Sequence, residues 1–280
     1  MLKILRGDYT SATRNQLKGY KLERPARAKD RWAGISHYDL VNGIITAIKD
    51  LFNLHPLPDT ESYAVSPQGT ALIGGFSMGT QNPRTKKVQP LLMSGIPQET
   101  YQAIGFQHSN DCRKALNVYC GATVALCTNG MVHSSYAMRH KHTTGLTLED
   151  WLKEGLENIW TRFSSMGQEI ESLFHHGVRP IDHEKMLVAL TRQDIIPWRL
   201  LGEVDEAWNK ACDGEVIWSP EWEWSFEQNA WDWYNCVTHV AKKIPPAVQL
   251  PALERAFRLT CELLPKKERP NLEPITIDVD

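Results

Sequence analysis

The feature that most limits what this chain can fold into is a change of hydrophobic period near Gly145. Before it, from Glu61 to Met138, apolar residues alternate with polar residues or glycine in short runs; after it they recur every three or four positions. Period two belongs to a strand, and a period near 3.6 to a helix with an apolar stripe. Strands first and helices afterwards, without β-α alternation, predict an α+β fold: a central antiparallel β-sheet in the first half, followed by a helical C-terminal half packed on it. The expected layout is a basic N-terminal arm over 1–35, a β-rich part over 36–145, a helical part over 146–265 and a flexible tail over 266–280.

Local signals place the elements. Ser36 and Asp39 form a capping box, and Leu40, Val41, Ile44, Ile45, Ile48, Leu51 and Phe52 follow at helical spacing as far as His55-Pro56. Strands are expected over 61–66 and 70–78, joined through Pro67-Gln68-Gly69, then over 88–93, 101–107, 115–119, 123–127 and 131–138. Gly121 and Asn129-Gly130 are read as turns between the later strands. A sheet of five to seven strands results. Thr147 and Asp150 form a second capping box that opens one long amphipathic run to Phe174, with Gly167 inside it. Helices follow over 182–190, from Pro197 to about Ala211, from a Ser225 cap to Lys243, and from Pro251 onward.

The N-terminus carries no apolar leader, and no apolar run reaches the roughly 18 residues of a spanning helix, so a cytoplasmic protein with no membrane partner is expected. Six cysteines without close pairing suit a reducing compartment. Cys112, Cys120 and Cys127 fall near His108, His133, His140 and His142. Their spacings of eight and seven residues lack the close C-x2-4-C pair that fixes half a zinc tetrahedron, and buried thiols and polar turn histidines are the favoured reading. No cofactor is expected. Gly74-Gly75-Phe76-Ser77-Met78-Gly79 lacks the lysine and following helix of a phosphate loop, and no nucleophile elbow or zincin motif is present. Acid pairs at Asp182/Glu184 and Glu221/Glu223 have no converging lysine. No catalytic set emerges, and a non-enzymatic role is expected.

Charge is unevenly distributed. The first 31 residues hold nine basic groups against three acids, whereas 203–234 hold nine acids against Lys210 alone, together with six of the ten tryptophans. Clustered cations neutralise phosphates, and the candidates are Arg84, Lys86, Lys87, Arg139 and Lys141. Aromatics interleaved with the basic half (Tyr9, Tyr20, Trp32, Tyr101, Phe106, Tyr119, Tyr136) are candidates for stacking on single-stranded bases, although strand aromatics are more often core. In Glu221-Trp222-Glu223-Trp224, alternation puts both indoles on one face and both acids on the other, a candidate surface for a host or phage protein. Core packing of these tryptophans is the plainer reading. Opposite charge at the two ends also permits self-association into a homo-oligomer.

Phe106-Gln107-His108-Ser109-Asn110-Asp111, then Ala115-Leu116, Val124 and Leu126-Cys127-Thr128-Asn129-Gly130-Met131, resemble the central block of the phage/plasmid-like family catalogued as domain of unknown function 932. Arg139-His140 before Thr143, and Asn229-Ala230-Trp231-Asp232-Trp233-Tyr234-Asn235-Cys236-Val237-Thr238, resemble two later segments of it in the same order. The resemblance implies a protein of phages, plasmids or other mobile elements and brings no activity with it. The resulting expectation is a nucleic-acid-associated accessory factor acting on single strands in replication or recombination. The alternative is an inhibitor or decoy that meets a host defence protein through the acidic tryptophan surface.

Overall fold

The computed structural model describes residues 9–26, 28–30, 32–91, 100–112, 115–124, 130–140, 147–163, 166–214 and 229–266. Eight antiparallel strands form one sheet: β1 (Thr10–Ala12), β2 (Leu54–Pro56), β3 (Ser62–Val65), β4 (Ala71–Gln81), β5 (Val88–Pro90), β6 (Thr100–Ser109), β7 (Leu116–Val124) and β8 (Gly130–His140). The main path runs β1-β3-β4-β6-β7-β8, while β2 and β5 flank the far end of β4. The α+β architecture expected from the change of period is therefore present, with one strand more than the upper expectation.

The β3–β4 hairpin turns where the sequence places it. The Ser66 N–H donates to the Ala71 carbonyl at 2.9 Å and the Gly69 N–H to the Ser66 carbonyl at 2.8 Å, with Gly69 in the left-handed region that a Cβ would strain. Gly121, read as a turn, lies instead within a continuous β7. The register against β8 shifts between Tyr119 and Gly121, so the glycine marks a bulge. The N-terminal segment is also more than an arm. Thr10–Ala12 pair with Tyr63–Val65 as an edge strand, and Leu17 in the following 3-10 turn is buried.

The central strands are buried on both faces. Leu72, Phe76 and Met78 of β4, Ile104 and Phe106 of β6, and Leu116, Val118 and Cys120 of β7 join the main core. Ile73, Ala103, Gln107 and Tyr119, which by strand parity face the other way, are buried as well. That is why β4 reads as a nearly unbroken run of apolar and small residues rather than as strict alternation.

Seven helices complete the described residues: α1 (His37–Phe52), α2 (Leu148–Phe163), α3 (Met166–Phe174), α4 (Pro180–Arg192), α5 (Leu201–Cys212), α6 (Ala230–Ala241) and α7 (Pro246–Cys261). Ser36 caps α1, its hydroxyl accepting from the Asp39 N–H at 3.0 Å. Thr147 does the same for α2 through the Asp150 N–H at 3.2 Å. The run expected from 147 to 174 is helical over Leu148–Phe163 and Met166–Phe174, and residues 164–165 lie outside the described residues. The start expected at Ser225 falls outside the described residues; α6 begins at Ala230, where the Asn229 side chain accepts from the Asp232 N–H at 2.9 Å. α7 starts at Pro246 and carries Pro251 inside it, because a proline already at the first turn leaves no lost bond to mark a boundary there. No helix among the described residues is long and apolar enough to cross a membrane.

α1 turns Leu40, Val41, Ile44, Ala47 and Ile48 inward. It meets α2, where Phe52 stacks on Trp160 at 4.4 Å, and both α2 and α7 lie against β8. In the helical half α6 is the buried axis, with ten of its twelve residues out of solvent, as expected of a helix apolar all round. One of its indoles is tied to the neighbouring helices. The Trp233 indole N–H donates to His183 Nδ1 at 3.1 Å, His183 Nε2 contacts Asp205 at 2.8 Å, and the Trp208 ring stacks on the imidazole at 5.4 Å. Because Nδ1 is an acceptor, the proton sits on Nε2, so one histidine joins α4, α5 and α6.

Two outcomes are expected. Trp233→Phe removes that donor, leaves His183 Nδ1 buried and unpaired, and lowers stability by roughly 1–3 kcal/mol in urea denaturation. Burial also pushes the Asp232 carboxyl up to about 6, partly offset by the Asn229 backbone and side chain. The stability this protonated acid gives is fully present below the ordinary carboxylate value and is lost as pH rises through 6. Asp232→Asn is expected to gain on the parent between pH 4 and 7.5, by about 3 kcal/mol at most at 1.36 kcal/mol per pH unit. Comparing variant with parent isolates this effect from buried His37 and from His239, whose imidazoles are held below their usual range by desolvation and act in the opposite sense.

Candidate nucleic-acid interface

Three of the five candidate cations sit together at the tip of a two-stranded ribbon. Beyond Ser77, β4 leaves β6 and pairs with β5, Gly79 opposite Pro90, Thr80 opposite Gln89 and Gln81 opposite Val88. Gly79 is required there, since a Cβ would lie 2.2 Å from the Gln89 carbonyl oxygen. The loop between the strands is closed by its own backbone. The Asn82 N–H donates to the Lys87 carbonyl at 2.8 Å and the Lys86 N–H to the Asn82 carbonyl at 2.9 Å. The Asn82 side chain accepts from the Arg84 and Thr85 N–H groups at 2.9 and 3.1 Å, an Asx turn that holds the tip.

Arg84, Lys86 and Lys87 are all exposed on this tip, and none forms an ion pair among the described residues. Lys86 adopts φ 58°, the left-handed conformation in which glycine or asparagine is usual. The chain thus carries a cation at the one position of the turn where a side chain is least favoured.

Arg139 is not beside them. Register places Arg139 opposite Asn117, Asn117 opposite Gln107, and Gln107 opposite Ile73. Arg139 is therefore level with the start of β4, on the order of 30 Å from the hairpin at about 3.3 Å per residue and 4.8 Å per strand. Its side chain and the whole of Lys141 lie outside the described residues. Arg139 is thus away from the tip, because β6 pairs only with the first part of β4, and β7 and β8 follow β6 outward. Of the sheet aromatics considered for stacking, Phe106 and Tyr119 are buried, Tyr101 is half-buried, and the side chain of Tyr136 lies outside the described residues.

Three cations of the basic N-terminal segment are engaged. Arg14 is paired with Glu61, which also accepts from the Tyr63 hydroxyl at 2.6 Å. The Lys18 ammonium stands 4.7 Å over the Tyr38 ring, and Arg24 donates to the Lys29 carbonyl at 3.1 Å.

The remaining chemical candidates resolve into structural roles. His108 is buried with Nε2 3.0 Å from the Ile35 carbonyl; Asn110 binds the same carbonyl at 2.8 Å and accepts from the Ile35 N–H. His37 meets His108 edge-on at 5.2 Å and reaches the Gly69 carbonyl at 2.9 Å. Together these groups fasten the start of α1 to the β3–β4 turn. Cys120 faces Ile104, four residues along β6 from His108, roughly 13 Å away, and burial pushes its thiol well above the usual range. Cys112 is exposed. No group of three potential metal ligands occurs among the described residues. Cys127 and His142, with the side chains of His133 and His140, lie outside them. Asp182 is bridged by Arg179 at 2.6 Å, which holds its carboxyl below the usual value. The glycines of 74–79 lie within β4.

Of the acidic tryptophan block, Trp208, Trp231 and Trp233 are buried core residues, while Glu203 pairs with Lys243 and Glu206 with Lys210. Glu221, Trp222, Glu223 and Trp224 lie outside the described residues. The one strongly exposed tryptophan described is Trp198, at 81%, which the sequence does not single out. Compared with protein-family models, curated proteins and solved structures, the chain matches none.

The turn geometry gives a direct check. Lys86→Gly is expected to leave stability unchanged or raise it by up to about 1 kcal/mol, whereas Lys86→Val lowers it by roughly 1–2 kcal/mol. Equilibrium urea denaturation reads both.

Proposed function

We propose that this chain is a non-enzymatic accessory protein of a mobile element that holds single-stranded nucleic acid by its phosphates through the β4–β5 tip. The observation that carries this reading is the tip itself: Arg84, Lys86 and Lys87 exposed, without an acid partner among the described residues, on a loop closed by Asn82. A two-stranded ribbon is narrow enough to approach a nucleic-acid backbone, and charges fixed on it lose little freedom on binding. Specificity for sequence is not expected, because phosphate contacts position a protein without reading bases. With Phe106 and Tyr119 in the interior, the affinity expected is electrostatic and salt-sensitive. The resemblance to the phage/plasmid-like family supports the mobile-element part of the proposal, and the tip supports the binding part.

The test is fluorescence anisotropy of a labelled oligothymidylate of 20 nucleotides against salt. Each phosphate contact on a single strand contributes about 0.7 to the slope of log K against log salt. The combined Arg84→Ala, Lys86→Ala, Lys87→Ala variant is expected to flatten the slope by about 2 and Lys86→Gly alone by about 0.7. Arg14→Ala, whose partner is Glu61, should leave it unchanged. Absence of binding in low salt, or a slope indifferent to the triple substitution, rules the reading out.

A further inference from the structure

Four of the five large hydrophobic side chains standing in solvent among the described residues lie on α4, on α7 and on the turn that follows α4, and two of them line one cleft. The four are Ile181 and Val188 on α4, Trp198 before α5 and Val248 near the start of α7; Leu22 is the fifth. Ile181 and Val188 are seven residues apart, two helical turns, and so share a face of α4 that leads to Thr191. Thr191 opens a cleft of about 380 Å³ between α4 and α7, floored by Ile195, Ile196, Ile244 and Ala252, with Trp198 at its mouth. Exposed apolar side chains that line a cleft, as Trp198 and Val248 do, mark a contact surface in a folded protein, unlike single exposed aliphatics.

The turn that presents Trp198 is held from behind. The Ile195 and Ile196 N–H groups donate to the Leu190 carbonyl at 2.8 and 3.2 Å, and the Leu200 N–H to the Pro197 carbonyl at 2.8 Å. Arg255 donates to the Asp194 carbonyl at 2.6 Å. Ile195 and Ile196 fill the interior, so the indole is left outside by a fixed backbone.

Arginines flank the turn on both sides, next in sequence to the cleft residues Thr191 and Trp198. Arg192 and Arg199, on either side of the turn, are exposed and without an ion pair among the described residues. Asp194 is the one carboxylate lining the cleft, and Lys243, next to Ile244, is engaged by Glu203.

We propose that the cleft between α4 and α7 is a docking site for an acidic polypeptide segment of a partner protein, an apolar side chain entering beside Trp198 and flanking carboxylates meeting Arg192 and Arg199. Trp is the residue most enriched at the energetic centre of protein interfaces, and bidentate arginine–carboxylate pairs supply the orientation. A nucleic acid fits less well. The floor is aliphatic, so a base entering it would leave its hydrogen-bonding edge unpaired. This surface is independent of the β4–β5 tip.

The experiment uses the full chain and an array of N-acetylated, C-amidated nonapeptides with Asp and Glu flanks and a central residue varied through Leu, Ile, Phe, Trp and Ala, read by anisotropy. Matched Lys-flanked peptides and a 20-nucleotide oligothymidylate serve as comparators. Acidic peptides with a large apolar centre are expected to bind at least tenfold tighter than their Ala or Lys-flanked counterparts. Trp198→Ala should weaken them at least tenfold, and Arg192→Glu with Arg199→Glu should do so in a salt-dependent manner. Circular dichroism should be unchanged, since all three side chains are exposed. No acidic peptide binding at millimolar concentration, or binding indifferent to Trp198→Ala, overturns the proposal. Displacement of the peptide by the oligonucleotide in the Arg84, Lys86, Lys87 triple variant would assign the cleft to nucleic acid instead and equally overturn it.

Discussion

The structure depends on one strand that serves two sheets of neighbours. β4 is hydrogen-bonded to four others: its first seven residues lie between β3 and β6, and its last four between β2 and β5. Where partners change, backbone groups would be stranded, and loops supply what the ladder no longer does. The Ser77 N–H donates to the Thr60 hydroxyl at 3.0 Å, and its carbonyl accepts from the Leu57 N–H at 2.7 Å. The next carbonyl, that of Met78, accepts from the Leu91 N–H at 3.0 Å. With every group satisfied, a buried strand can continue out of the core as a ribbon without a break in its hydrogen bonding. The position of the basic tip follows from that continuity.

Rigidity and charge at the tip are linked through the same backbone. A long cation on a mobile loop loses most of its rotamer and loop freedom when it meets a phosphate, whereas one on a closed turn loses only side-chain freedom. Asn82 uses a single side-chain oxygen to fix two N–H groups of the loop, which leaves the ammonium and guanidinium groups as the only parts free to adapt. Lys86 in the left-handed region adds strain of order 1 kcal/mol that the rest of the turn must hold. Strain of this kind at an exposed cation is a departure from what stability alone would select.

Much of this was legible in the residues, and the failures have physical causes. Capping boxes at Ser36 and Thr147 and the turn at Gly69 were readable because each rests on contacts within four residues. The change of period near Gly145 announced the fold class for the same reason. Gly121 misled because a glycine in a strand pattern signals equally a turn or a bulge, and only the pairing of β7 with β8 decides. Thr10–Ala12 and Leu54–Pro56 were missed because three-residue edge strands have no period. The separation of Arg139 from the hairpin was invisible, since both follow short strands and sequence does not show which end of a strand a loop occupies. Trp198 was hidden by its setting: in Ile195-Ile196-Pro197-Trp198 two residues are buried and the indole is not, a distinction set by the turn rather than by spacing.

Net charge of −2 says little about the field of this molecule, because most cations named here are answered locally. Lys153 meets Glu149, Arg179 meets Asp182, Lys210 meets Glu206, Arg258 meets Glu254, and Arg14 and Lys243 meet Glu61 and Glu203 across the fold. Exposed pairs of this sort add only about 0–1 kcal/mol each to stability. Their larger consequence is electrostatic: each cancels a source of field within a few ångströms, well inside the roughly 8–10 Å over which salt screens. What projects outward is then set by the cations left unanswered. Among the described residues these include two groups, the three on the β4–β5 ribbon and the arginine pair beside Trp198. A bare hydrophilic tip and a hydrophobic cleft rimmed by arginine ask for different ligands, one a flexible polyanion and the other an acidic chain with an apolar anchor. On the two proposals made above, one molecule would hold a polyanion and an acidic polypeptide at separate places.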